Sequence, residues 1–405
     1  MKIFEIGTGY TSIPAQMGAA TEIVVEELSR AFKKMNEDVA IVDIKDANRP
    51  QTDLPIVEAY MPGMFSTKAV VTLGIVHKLK RVLYSISLTF KLHKLIKKIP
   101  VEKKIVLHFH NQYNMFFFEK LTSKKIRKRV SIGYTVHSYI WFGQWEKIKA
   151  TVKKKYFQEI FCCQHADKVF VLNSIVEKMM IDNLKVPQSR ITKIINGVNT
   201  SAYNESSAET SIQSAIKEKY HLNGKEIILQ VGSVCERKNQ FDTIKQLTPL
   251  MKQNKNVVFA YAGGIIDAEY QNAICDYSRQ EHLKDQIVYL GEVSPGKELN
   301  SIYAMSKICV INSKSEAFPL VIAEALSIPR PIFIGANLLD NLELWQKHEG
   351  EGVIRITDHF TDDVNRLIND SDYYKAMQDK GRNLIVNNYS WDIAAHQYLN
   401  TFNTL

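Results

Sequence analysis

Residues Lys2–Asp43 read KIFEIGTGYTSIPAQMGAATEIVVEELSRAFKKMNEDVAIVD. Lys2-Ile6 is a short apolar run that ends at Gly7, as a buried strand does before a turn. From Ala20 to Lys34 the apolar residues Ile23, Val24, Leu28, Ala31 and Phe32 recur at the helical interval, which predicts an amphipathic helix. A second apolar run, Val39-Asp43, follows at once. Strand, loop, helix and strand in that order open a doubly wound parallel sheet, because two parallel strands need a crossover that a helix supplies.

The same alternation continues outward. Short buried strands are expected at Lys104-Phe109, Ser131-Val136, Lys168-Leu172 and Ile191-Ile195. After Asn199 comes the polar, serine-rich stretch TSAYNESSAETSIQS, which reads as a linker. A second set of apolar runs then begins: EIILQVGSV, VVFAYAGG, IVYLGEV, ICVINS and PIFIGA, each parted from the next by a helical pattern. The chain therefore reads as two α/β domains, residues 1-200 and 201-388, and its 405 residues exceed what one ordinary core holds.

Composition narrows the function classes. The five cysteines have no paired metal-ligand spacing and their number is odd, which argues against a disulfide framework or a zinc site. Glu5 interrupts the apolar N-terminus, so no cleavable signal is expected, and Lys78, Lys80, Arg81 and Lys91 break the longest apolar region. A cytoplasmic protein is the expectation. The net charge of +9 is uneven: residues 1–200 carry 32 Lys+Arg against 17 Asp+Glu, the remainder 20 against 26. A basic half alone would suit nucleic acid, but no recognition motif accompanies it, so no nucleic-acid partner is expected. Between Leu79 and Ile99, the apolar residues Leu79, Val82, Leu83, Ile86, Leu92, Leu95, Ile96 and Ile99 are spaced as one helical face among lysines. Such a helix suits an anionic membrane surface, so peripheral association with the inner face of the plasma membrane is expected.

The motif that carries chemistry is SEAFPLVIAEAL, Ser315 to Leu326, directly after the buried run Ile308-Ile311. Pro319 suits a first helical turn, so the helix should begin near Phe318. A helix N-terminus at the carboxyl edge of a parallel sheet offers free N–H groups and about half a positive charge, a place for phosphate. Glu316 and Glu324 flank that turn, on the order of 10 Å apart along the helix. That spacing lets one carboxylate hold sugar hydroxyls and the other ribose hydroxyls, with a diphosphate between them.

These residues resemble glycosyltransferase family 4, retaining enzymes of GT-B fold marked by two glutamates with seven residues between. The resemblance implies two Rossmann-like domains facing across a cleft, with a last helix, about 389-405, returning to the first domain at Tyr389-Ser390-Trp391. It implies that Glu316 contacts the transferred sugar and Glu324 the ribose, and that the amides of Phe318, Leu320 and Val321, around Pro319, bind the diphosphate. Lys238, in VGSVCERKN, matches the lysine that clamps the leaving group. Ser233 stands where the family has arginine, so Arg237 is the candidate to supply that charge. Gly18 matches the glycine-rich loop of the first domain, and His137, in YTVHS, the histidine that touches the donor sugar. Val293 lies in the segment that resembles the base-holding loop. His108 and His110 resemble a family strand end and are read as packing or cleft-lining residues.

The expected activity is transfer of a sugar from a nucleotide diphosphate donor to a glycan or lipid-linked acceptor, with retention and without a metal or other cofactor. Asp370-Ser371-Asp372 imitates a metal-binding Asp-x-Asp, but its polar context reads as a solvated turn. The alternative, from another class, is a non-catalytic accessory or binding subunit of the same fold, raised by Ser233 and Ala317 where the family has arginine and glycine.

Overall fold

The structure is a computed structural model that describes residues 1–15, 20–61, 75–137, 150–151, 154–316 and 318–405. The chain forms two compact units: Met1–Asn196 with Trp391–Leu405, and Gly197–Ser390.

The first unit is built on a seven-stranded sheet of β1 (Lys2–Ile6), β2 (Asp38–Ile44), β3 (Ile56–Ala59), β4 (Ile105–Phe109), β5 (Ser131–Thr135), β6 (Lys168–Val171) and β7 (Ile191–Lys193). The order is β3-β2-β1-β4-β5-β6-β7, with every pair parallel. A parallel sheet is covered on both faces, and alternate residues of β1 divide accordingly. Phe4 and Ile6 join the core made with Tyr84, Leu88, Leu92 and Ile96, whereas Ile3 packs with Leu28, Phe32, Trp391, Tyr398 and Phe402. Helix Ala20–Lys34 thus falls where its periodicity places it, beside the last helix, Trp391–Thr404.

The helix Ile75–Lys98 departs from the single apolar face read in its sequence. Leu92 and Ile96 turn into the core with Tyr84 and Leu88, while Leu79, Leu83 and Phe90 remain exposed. Periodicity counted Tyr84 and Leu88 out and Leu79 and Leu83 in, merging two neighbouring stripes.

The second unit has a six-stranded parallel sheet: β8 (Glu226–Val231), β9 (Val257–Ala262), β10 (Ile287–Tyr289), β11 (Ile308–Ile311), β12 (Ile332–Gly335) and β13 (Val353–Ile356), in the order β10-β9-β8-β11-β12-β13. The chain changes units at Asn196–Gly197, ahead of the serine-rich stretch. That stretch is ordered within the second unit: Tyr203 is buried, Asn204 caps the turn Glu205–Ser207, and helix Thr210–Lys219 follows. Serine and asparagine served there as backbone acceptors and caps, which a compositional reading takes for a linker.

Both sheets reverse their direction of growth once, between β1 and β4 in the first unit and between β8 and β11 in the second. Loops leaving the carboxyl ends of such strand pairs part in opposite directions and leave a crevice, the usual place for a ligand in an open α/β sheet.

Candidate functional site

In the second unit the loops after β8 and β11 bring three of the singled-out residues together. Lys238 Nζ donates to Glu316 Oε1 at 2.6 Å, and Arg237 donates to the same oxygen at 3.0 Å. Arg237 also donates to the Ser315 carbonyl at 3.0 Å, tying the two loops to each other. Glu316 Oε2 takes no part in either ion pair. Burial raises the Glu316 carboxyl, but the charges of Lys238 and Arg237 outweigh it and hold it below the ordinary carboxylate range. The trio carries one positive charge in excess.

The backbone beneath Lys238 explains how its ammonium is aimed. Gly232 follows β8 with φ +151°, and a Cβ there would lie 3.2 Å from Lys238 Cε, so the lysine stem runs across bare backbone. Gly263, after β9, has φ +144°, and a side chain on it would collide with the Gly232 carbonyl. Gln230 donates to the Lys238 carbonyl at 2.7 Å, and Gln240 to the Ser233 carbonyl at 2.9 Å. Gly263, Gln230 and Gln240 were not singled out in the sequence. A paired glycine after an apolar run was the one available signal for them.

The helix after β11 spans Leu320–Ser327, with Pro319 at its cap in extended backbone, φ −77° and ψ 104°. It starts after Phe318 and Pro319 rather than at Phe318, because proline fixes φ yet can serve as the half-helical residue before the first turn. The amides of Leu320 and Val321 open that turn and have no earlier helical carbonyl to bond. Phe318 packs beside Trp345, with ring centroids 5.9 Å apart. Val293 lies half-buried against the same core.

Glu324 sits deeper than expected, 5% exposed, where it accepts from the Tyr303 hydroxyl at 2.9 Å. Burial pushes its carboxyl up to about 7, against the opposing hydrogen bonds from Tyr303 and Tyr203.

The first unit gathers a second cluster at the β1/β4 reversal. His137 Nε2 lies 2.9 Å from His110 Nδ1, and His110 Nε2 lies 2.7 Å from Glu5 Oε2. His108 Nδ1 lies 2.9 Å from Glu5 Oε1. Glu5 was read only as an interruption of an apolar run, although an acid inside a buried strand was itself a signal. The ligand atoms of Glu5, His108 and His110 lie within 4.8 Å of one another, so they could hold a metal. Asp370 caps helix Ser371–Asn388 by accepting from the Tyr373 amide. Gly18 and Ala317 lie outside the described residues.

Two all-parallel, doubly wound units, each with one reversal of strand order, are the architecture of the GT-B fold. The family described as Glycosyltransferase Family 4 matches residues 21–202, and Glycosyl transferases group 1 matches residues 212–384. The chain belongs to the family 4 glycosyltransferases. It is 23% identical to the putative glycosyltransferase YtcC of Bacillus subtilis over 99% of this chain and 91% of that protein. It is 24% identical to the alpha-galactosylglucosyldiacylglycerol synthase of Streptococcus pneumoniae, covering 59% of this chain and 62% of that enzyme. It spans 63% of the length of an uncharacterized glycosyltransferase of Methanocaldococcus jannaschii, with which it is 22% identical over 63% of its own length. Among solved structures, Anabaena HepE in complex with UDP-glucose superposes with a TM-score of 0.73 over 100% of both chains at 12% identity.

Proposed function

We infer that this enzyme transfers a hexose from a nucleotide diphosphate sugar to a glycan or lipid-linked acceptor, with retention and without a metal, in cell-envelope or surface polysaccharide synthesis. The observation that carries the reading is the convergence of Lys238 and Arg237 on Glu316 beside the first turn of helix Leu320–Ser327. Breaking a sugar–phosphate bond leaves negative charge on the departing diphosphate. Lys238, Arg237 and the amides of Leu320 and Val321 are donors fixed in place before that charge develops, the arrangement that lowers a barrier most. Glu316 keeps both cations in position through Oε1, and its Oε2 can accept from a hydroxyl of the sugar. Glu324, as an acceptor, holds the ribose, and Val293 borders the base. His137 touches the transferred sugar. The lack of an arginine at Ser233 is made good by Arg237, which reaches Glu316 from four residues further on.

The acceptor side is read from the first unit. Leu79, Leu83 and Phe90 stand exposed on one stripe of helix Ile75–Lys98, with Lys78, Lys94, Lys97 and Lys98 nearby. Each basic residue adds about 1 kcal/mol near an anionic leaflet. A cytoplasmic enzyme resting there would meet a lipid-linked acceptor, and the streptococcal relative is named as a synthase of a glycosyl diacylglycerol. No helix among the described residues is long and apolar enough to cross a membrane.

The test is a panel of nucleotide sugars scored for thermal stabilisation and for release of nucleoside diphosphate. A donor at 100 times its Kd should stabilise the protein by about 2.7 kcal/mol. No stabilisation and no release across UDP-, GDP-, ADP- and dTDP-sugars would end the donor assignment.

A further inference from the structure

The helix Ile75–Lys98 buries one stripe at intervals of four residues: Lys80, Tyr84, Leu88, Leu92 and Ile96. The last four belong to the core. The first is a lysine, only 6% exposed, whose Nζ has no hydrogen-bond partner among the described residues. Residues four apart share a helix face, so packing alone would be served by an apolar side chain at that place. A buried ammonium without a partner is costly, and burial pulls Lys80 below the ordinary lysine value with only the charge of Asp46 opposing it. Asp46 is engaged elsewhere: its Oδ2 accepts from the Ser12 hydroxyl at 2.6 Å and its Oδ1 from the Asn48 amide at 2.9 Å.

The stripe meets the loop that leaves the carboxyl end of β1. Gly9 in that loop has φ +78°, and a side chain on it would collide with the Tyr84 ring. Next to Lys80, the Arg81 guanidinium lies over the Tyr10 ring, 4.5 Å from its centroid, and 5.3 Å from that of Tyr113. Asn111 Nδ2 donates to the Tyr10 hydroxyl at 2.8 Å, and Asn114 Nδ2 to the Gly7 carbonyl at 2.9 Å, so the segments after β1 and β4 are held together. Both cations thus stand at the β1/β4 reversal, where an open α/β sheet takes a ligand. Arg81, Tyr10 and Tyr113 are half-buried and reach solvent beside the covered ammonium.

We propose that Lys80 and Arg81 form an anion subsite of the first unit that takes a phosphate group carried by the acceptor. A phosphate supplies the close counter-charge that Lys80 lacks. An ammonium is a compact point charge and a guanidinium a planar fork, and phosphate oxygens accept from both at once. The faces of Tyr10 and Tyr113 keep the guanidinium in place, and Asn111 keeps Tyr10. The inference rests on the reading of the first unit as the acceptor side. It narrows the acceptor to a phosphorylated molecule, whether a soluble sugar phosphate or the phosphodiester headgroup of a lipid.

The test uses the full-length protein carrying Lys238→Met as the parent, which weakens the diphosphate site of the second unit. Glycerol 3-phosphate is the soluble probe, read by melting temperature, and phosphatidylglycerol in phosphatidylcholine vesicles is the lipid probe, read by co-sedimentation. A bound probe raises stability by mass action, and adding Lys80→Met should weaken the Kd by about 10–100-fold, the worth of one charge-assisted hydrogen bond. Without any probe, Lys80→Met should melt at or above its parent, since it removes a buried charge that has no partner. Lys125→Met takes the same charge from an exposed position and should leave every reading where it was. A Lys80-dependent response to glycerol 3-phosphate assigns a soluble acceptor, and Lys80-dependent co-sedimentation alone assigns a lipid headgroup. No Lys80-dependent response to either probe would overturn the proposal, and so would a probe-free Lys80→Met that melts below its parent or does not fold. Lys80-dependent probe binding together with no stabilisation of the wild type by any nucleotide sugar would instead remove the donor reading and leave the subsite standing.

Discussion

Replacing Lys238 by methionine keeps the unbranched stem and removes only the ammonium. The stem crosses Gly232 at van der Waals distance, and methionine fills that path. The group removed sits 2.6 Å from Glu316 in a pair whose side chains are 14% and 12% exposed, so solvent cannot replace it. Stripping one partner from a buried pair costs about 3–5 kcal/mol when the other charge is abandoned. Arg237 stays 3.0 Å from the same oxygen, so the expected loss of stability is nearer that of one charged hydrogen bond, about 1.5–3 kcal/mol. The catalytic loss is larger in consequence: one preorganised donor is worth about 2.7–4 kcal/mol, or 10²–10³ in kcat. The assay is release of nucleoside diphosphate from the donor found in the panel, at saturating donor. The pH dependence provides a check within the same pair. Glu316 is held below its unfolded value, so its contribution is present above that value and is lost as pH falls through the folded one. The stability gap between wild type and Lys238→Met should therefore hold from pH 7 down to about 4.3, the ordinary carboxylate value, and shrink as the pH falls further in urea melts. Wild-type turnover in Lys238→Met would refute the leaving-group assignment outright.

Three further outcomes follow from other parts of the molecule. Glu324 has its carboxyl raised to about 7, so its stabilisation is complete below its unfolded value, about 4.3, and is lost as pH rises toward 7. Glu324→Gln should gain stability relative to wild type between pH 5 and pH 8, and a gap that widens in the other direction in urea melts would contradict the burial argument. Gly263→Ala should lower the melting temperature, with about 1–3 kcal/mol lost to the φ of +144° alone, and should weaken donor binding because the Gly232 turn must move. The triple change Leu79→Ser, Leu83→Ser and Phe90→Ser touches exposed positions, so its melting temperature should stay within a few degrees of wild type. Its co-sedimentation with anionic vesicles should fall, and undiminished, salt-insensitive binding would discard the membrane assignment.

Where the residues themselves carried periodicity, the fold was legible. Helix Ala20–Lys34 and strands Lys2–Ile6 and Ile308–Ile311 lie where their apolar patterns put them, since both sheets are buried on two faces and their strands read as apolar runs. Two of the four edge strands did not, although β7 and β10 at the opposite edges were read: β3 is half-buried over three of its four residues and holds Glu58, and β13 holds Arg355. An edge strand needs pairing on one side only and tolerates charge, and where charge enters a four-residue strand its apolar pattern is lost. In the second unit, Lys238 and Glu316 were legible because a motif and a local turn fix them, and Arg237 was legible as the nearest cation to a gap at Ser233. Glu5 was not, because the groups that satisfy it lie 103 and 105 residues away. Burying a charge is costly until its partners are known, and they come from strands that only the folded sheet sets side by side.

The two units follow one strand order, and that order accounts for where chemistry collects. At each reversal the chain leaves two adjacent strands in opposite directions, so the residues just beyond their carboxyl ends are free of helix packing. In the second unit those residues are Lys238 after β8 and Glu316 after β11. In the first they are His110 after β4, with Glu5 inside β1 beneath it and His137 after the next strand. In the second unit that order leaves a positive charge in excess beside a helix N-terminus, suited to a diphosphate. Reversing the sign there, as in Arg237→Glu, should therefore abolish nucleotide binding, read as loss of the thermal stabilisation that a nucleoside diphosphate gives the wild type; stabilisation equal to wild type would remove Arg237 from the site.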